Sequence, residues 1–194
     1  MTKIAKADLY SLEQYAELRA EFRAKVIAHK RNRVVALGPH ATLHFEDRLT
    51  MQYQIQEMLR AERIFDKAGI EDELAAYNPM VPDGSNWKAT FMVEFDDPDE
   101  RRRELAKLIG VEDKVWVKVA GMSPVFAIAD EDLERENEEK TSSVHFLRFE
   151  LTPDRVKAVK GGAGISVGVD HPAYRYSVEP LPAAVRNSLA ADLA

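Results

Sequence analysis

Apolar residues recur every three or four positions over 11–30. Leu12, Tyr15, Leu18, Phe22, Val26 and Ile27 form one stripe, which predicts a helix. Ser11 or Asp8 is placed to cap it, because a side-chain oxygen satisfies the free amides of the first turn. A β-prone run at 33–37 stops at Gly38-Pro39, and 41–45 reads as a second short strand. From 46 to about 66 the helical period returns on two sides. Met51, Ile55, Met58, Leu59 and Phe65 fall together, with Leu49, Tyr53 and Ile64 roughly opposite. A helix apolar on two sides packs on both and is therefore central. Arg48 and Glu62 project within the first stripe, where burial demands partners, so they are expected as a supporting ion pair in the core. A shorter helix near 71–77 ends before Asn78-Pro79, and Pro82-Asp83-Gly84 marks a turn.

Beyond this point strands and helices alternate. The segment 87–95 puts Phe91, Val93 and Phe95 on one face. A helix over 98–109 has Asp97 as cap and Gly110 as stop. Strands at 115–119 and 125–129 join through Gly121 as a hairpin, and 143–151 is a longer strand. A short helix at 153–159 and a strand at 164–169 follow. A last helix over 181–193 carries Val185, Leu189 and Leu193 as a stripe to dock on this chain or on a partner. The expected fold is α+β: an antiparallel sheet, ferredoxin-like from about residue 87, packed with a helical N-terminal half. The expected organisation is one domain over 1–194, with a helical part about 1–80, a β-rich part about 85–178 and the terminal helix.

The 194 residues are 45% hydrophobic and 31% charged, as in an ordered globular protein. A net charge of -6 argues against a dedicated nucleic-acid binder. No apolar run is long enough to span a membrane, and the first residues lack the apolar core of a secretory signal, which favours a cytoplasmic location. Charge is unevenly spread. Six basic residues between Arg19 and Arg33 stand against Glu21 alone, whereas Glu131 to Glu139 holds six acids and Arg135. Opposite patches of this kind can pair in a homodimer or steer a charged partner, and equally can be solvated surface.

Cysteine is absent, which removes disulfides, thiolate nucleophiles and a Cys-ligated cluster held by this chain. Any divalent metal must then be held by His and carboxylate. The candidates start at the segment from Gly38 to Asp47. In an extended chain His40, Thr42, His44 and Glu46 share one side. His44 and Glu46 would stand about 7 Å apart at Cα, a workable span for chelation, but His40 and His44 about 13 Å. Completing a site takes ligands from His145, His171, Glu57 or Glu62. The plainer alternative is that these histidines hydrogen-bond to fix turns and core. Neither H-E-x-x-H nor the E-x-x-H pair of di-iron bundles occurs. Along the second long helix Glu46, Thr50, Tyr53 and Glu57 share a side, suited to acid–base work or to ion pairs with a neighbour. Ser142 and Ser143 lie near His145, but no G-x-S-x-G elbow accompanies them. Gly161-Gly162-Ala163-Gly164 precedes a strand and reads as a turn. His171-Pro172-Ala173-Tyr174-Arg175-Tyr176 would either close over the site or cover a sheet edge.

The strings A-H-K-x-N-R-x-V-x-L-G-P-H, F-E-D-R-L-T-M-Q-Y-Q-I-Q-E-M-L-R, P-D-G-S-N-W-K-A-T and E-E-K-T-S-S-V-H-F-L-R-F-E resemble the bacterial family catalogued as domain of unknown function 3501. The resemblance runs from the N-terminus to about Tyr174. It implies a redox or peroxide-stress setting beside iron–sulfur or rubrerythrin-like partners, and it brings no assigned site residue. The leading expectation is an accessory or metal-binding protein of such a system, with His40, His44, Glu46, His145 and His171 as metal ligands. The alternatives are a small enzyme with a His/carboxylate site and a protein–protein interaction module.

Overall fold

Ser11 Oγ accepts a hydrogen bond from the Gln14 amide (3.2 Å), and Gln14 Oε1 accepts one from the Ser11 amide (3.1 Å). This reciprocal cap starts the first helix where its sequence signal stands. The computed structural model describes residues 2–129, 131 and 140–194, so most of the acidic run, 132–139, lies outside the described residues. The N-terminal half comprises α1 (Leu12–Lys30), β1 (Val34–Leu37), β2 (Ala41–Glu46), α2 (Arg48–Glu62), α3 (Lys67–Tyr77) and β3 (Asn86–Val93). Then come α4 (Pro98–Lys107), β4 (Val115–Val119), β5 (Val125–Phe126), β6 (Ile128–Ala129) and β7 (Val144–Glu150). The chain closes with α5 (Pro153–Lys160), β8 (Ile165–His171), β9 (Tyr174–Val178) and α6 (Ala183–Ala190).

The two-sided apolar pattern of α2 makes it the centre of a three-helix layer. Met51, Ile55 and Leu59 pack with Ile4, Leu74 and Val81, while Leu49 and Tyr53 meet Tyr15, Phe22 and Val26 of α1. Two details depart from expectation. Leu18 and Ile27 are exposed, so four of the six α1 stripe residues are used. The chain leaves α2 at Arg63 in the left-handed conformation, which puts Phe65 79% exposed and starts α3 early, under an Asp66 cap.

All strand pairs are antiparallel, as α+β requires, but they form two sheets. One has the order β1-β2-β3-β7-β6, the other β5-β4-β8-β9. This corrects the ferredoxin-like expectation, in which one sheet would hold every strand after residue 87. The inner positions explain it. Phe91, Leu147 and Phe149 of one sheet and Val117, Ile165 and Val167 of the other are all fully buried, and the short, charged α4 and α5 cannot cover such faces. Each sheet therefore buries the other's face. The sheets join at a corner, where β5 pairs with β4 and β6 turns to pair with β7. At the opposite edge the Tyr174 hydroxyl donates to Leu37 O (2.6 Å) and accepts from the His40 and Ala41 amides (both 3.0 Å), fixing β9 to the β1–β2 turn. Gly38 in that turn has φ +76°, and a Cβ there would stand 2.6 Å from the Tyr176 ring. The terminal helix α6 docks on its own chain, with Val185, Leu189 and Leu193 in the main core and Trp87 Nε1 donating to Leu189 O (2.9 Å).

Candidate functional site

The outer face of the five-stranded sheet is built from alternate residues that sequence analysis places on separate elements. Strand pairing sets His44 beside Thr90 and Thr90 beside Phe146 in one row. In the next row Glu46, Lys88, Arg148 and Ile128 stand side by side. Apart from Phe146 and Ile128 these positions are polar, while their neighbours facing inward, Phe45, Ala89 and Leu147, fill the core.

Over this face the end of α3 and the turn after it leave a groove of about 600 Å³. Ala75, Ala76, Tyr77, Pro79 and Met80 form its wall, and Lys88, Phe146 and Arg148 its floor. Arg148 is fully committed: it donates twice to Glu131 (2.7 and 2.6 Å) and to Glu150. Those bonds hold its guanidinium firmly charged and draw the Glu131 carboxyl below its ordinary range. Lys88 is different. It is half-buried, and no hydrogen bond or ion pair to another described residue holds its ammonium. Burial, and next the charge of Arg148, push its pKa down. The sequence marks Lys88 only as an ordinary outward strand residue; its significance arises from the register with Arg148 and from the helix laid over it.

The five expected metal ligands are dispersed. His40 lies in the β1–β2 turn, stacked on Phe95 at 4.3 Å, with Nδ1 3.2 Å from Glu94 O. His44 and Glu46 do share the outer face of β2; burial lowers the His44 pKa while Glu46 opposes the shift, and Glu46 accepts from Thr90 Oγ1 (2.9 Å). His145 is on the inner face, fully buried beside Phe91, its Nε2 3.0 Å from Thr141 Oγ1 and Ser142 O. His171, at the end of β8, has Nε2 3.1 Å from Ile109 O, and its Nδ1 accepts from the Ala173 amide. The two-residue period of the strand pleat explains the split, since His145 and His44 occupy opposite faces of one sheet. Among the described residues no three His, Asp or Glu side chains converge to hold a metal.

The Arg48–Glu62 pair is also corrected. Fourteen residues of one helix separate them by about 21 Å. Arg48 pairs instead with Asp8 (2.8 Å). The polar side of α2 proves to be a clamp between helices: Glu57 accepts from the Tyr15 hydroxyl (2.6 Å) and from Arg19 through two bonds of 2.8 Å. Arg19 foremost, and Tyr15, hold the Glu57 carboxyl at about 2. The segment after His171 is a hairpin turn at Pro172 and Ala173 followed by β9, covering a sheet edge.

A buried ionic centre escaped the sequence reading. Arg33, 1% exposed, donates to Phe45 O, Glu46 O and both Asp192 oxygens, and lies 3.4 Å from Asp47. Asp47 caps α2 through Thr50 and meets His29 Nε2 at 2.5 Å. Burial lifts the Asp192 carboxyl to about 6 against the pull of Arg33. The basic cluster from Arg19 to Arg33 is expected at the surface, whether solvated or facing a partner; its last member, Arg33, points in.

The chain is similar over its full length to a protein of unknown function from Burkholderia pseudomallei K96243, known from a crystal structure. The two are 50% identical, each is covered completely, and the TM-score is 0.94. No curated protein matches the sequence. Residues 3–193 match the model of the family described as protein of unknown function DUF3501. The sequence strings, this match and the shared fold agree, and the chain belongs to the DUF3501 family.

Proposed function

We propose that this protein binds a small molecule with an apolar body and a single oxygen acceptor, seated in the groove between α3 and the outer face of β3 and β7. One observation carries the reading: the Lys88 ammonium stands half-buried at the floor of a largely apolar groove with no protein partner among the described residues. A few placed polar groups within an apolar cleft are the usual form of a ligand site. A cation withheld from water gains most when a ligand oxygen replaces the lost hydration. Phe146 and Met80 supply apolar surface for the rest of the ligand.

Calorimetric titration with 4-phenylbutanoate and 4-phenyl-2-butanone tests this on the full chain. Saturable binding is expected for the wild type, with loss in Lys88→Met and in Ala76→Trp, which fills the groove from an exposed wall position. Binding that survives both substitutions overturns the reading.

A metal-binding accessory role beside an iron–sulfur or rubrerythrin-like partner would rest on His44 and Glu46, the two expected ligands that share a face. Stoichiometric metal in the untagged protein, lost in His44→Ala, would favour it over the groove.

A further inference from the structure

The geometry points to Lys88 as an imine-forming lysine, whose neutral amine attacks the carbonyl carbon of an aldehyde or ketone held in the groove. This rests on the groove being the ligand site, and it adds the ligand's chemical class. Two features carry it. Lys88 sits opposite Arg148 in the β3–β7 register, and Arg148 is kept charged by Glu131 and Glu150, so a permanent like charge stands beside the amine. A lysine beside another cation, or withdrawn from water, holds more of its neutral nucleophilic form at ordinary pH. Lys88 meets both conditions, and burial first and Arg148 next lower its pKa against the opposing pull of Glu131, Glu150 and Asp83.

The surrounding charge then selects the ligand. Glu131 lines the groove, and the charges of Glu131, Glu150 and Asp83 all act on Lys88. Three carboxylates around the Lys88 amine disfavour a phosphate or a multiply charged anion. A neutral carbonyl oxygen carries no such penalty.

The reaction balances without an added reagent. The Lys88 Nζ lone pair forms the C–N bond as the carbonyl π bond opens, giving a carbinolamine. Both amine hydrogens then leave with the oxygen as water, and a C=N bond remains. Glu131, held ionised by Arg148, and the Tyr77 hydroxyl line the same groove and are the groups available to move the proton.

The test incubates the full-length protein with 4-phenylbutanal and sodium cyanoborohydride, which reduces an imine to a stable secondary amine, and maps adducts by peptide mass spectrometry. Labelling of Lys88 is expected at least about tenfold faster than of the exposed Lys67 and Lys157. In Lys88→Arg, which keeps the charge, the fast adduct disappears. In parallel, 4-phenylbutanol, which cannot form an imine, is titrated calorimetrically. Saturable alcohol binding without preferential Lys88 labelling overturns the imine chemistry and leaves the binding site standing. Loss of both overturns the site itself.

Discussion

Arg33 Nη2 donates to Asp192 Oδ2 at 2.5 Å, joining the entrance of the first strand to the last residues of the described chain across a separation of 159 positions. The same guanidinium holds Phe45 O and Glu46 O at the end of β2 and stands beside Asp47, the cap of α2. One side chain thus ties α2, β2 and the C-terminal segment together. Removing it strands two buried carboxylates. Arg33→Met is expected to cost about 3–5 kcal/mol of unfolding free energy in urea denaturation. A cost below about 1 kcal/mol would show the network to be dispensable. Asp192 adds a pH signature. Its carboxyl is lifted to about 6, so between about pH 4 and 6 the folded chain holds a proton that the unfolded chain has released. That contribution is full below the unfolded value and is lost as pH rises through 6. The stability difference between wild type and Asp192→Asn therefore moves in the wild type's favour as pH falls from 7 to 4.

Glu57 titrates in the opposite sense. Arg19 and Tyr15 hold it at about 2, so its stabilisation is present above its ordinary value of 4.5 and is lost as pH falls toward 2. Glu57→Gln should cost about 1 kcal/mol at neutral pH. It should also flatten the acid limb of the stability curve. An unchanged acid limb would mean that the α1–α2 clamp contributes nothing to folding.

The Tyr174 hydroxyl serves three backbone groups of the β1–β2 turn at once. Tyr174→Phe leaves the Leu37 carbonyl and the His40 and Ala41 amides to find other partners, at an expected cost of about 1–3 kcal/mol. Gly38→Ala, at φ +76° and against the Tyr176 ring, should destabilise the same corner. Hydrogen exchange localises both effects: faster exchange at the Ala41 amide is expected, and unaltered protection there would refute the clamp.

Lys88 is predicted to trade stability for function. Its lowered pKa means that the folded chain disfavours its charge, so between its folded and unfolded values stability rises with pH. Lys88→Met removes the half-buried cation and should stabilise the protein by ~0.5 kcal/mol or more while abolishing ligand binding. Destabilisation instead would assign Lys88 a structural role.

Much of the local architecture was legible because short-range signals agree with one another. Ser11 with Gln14, and Asp97 before Pro98, cap helices where the sequence put them. Leu49 and Tyr53 opposite Met51 and Ile55 announced the central helix. The candidate site was legible only in part. His44 and Glu46 fall on its face, but the pairing of β3 with β7 joins residues some sixty positions apart, and no local pattern encodes it. Strand β9 alternates Tyr174, Tyr176 and Val178 with Arg175 and Ser177, a five-residue signal that does not stand out beside the turn at Pro172.

The sequence by itself determined the helical half, the antiparallel strands, their inward faces and the absence of thiol chemistry, since each follows from neighbours within a few residues. Only the packing of distant elements produced the two sheets, turned Arg33 inward to Asp192, parted the histidines and laid α3 over Lys88. The reason is physical. Periodicity fixes which way a side chain points from its own element, whereas a site depends on which elements become neighbours, and that is set by burial summed over the whole chain.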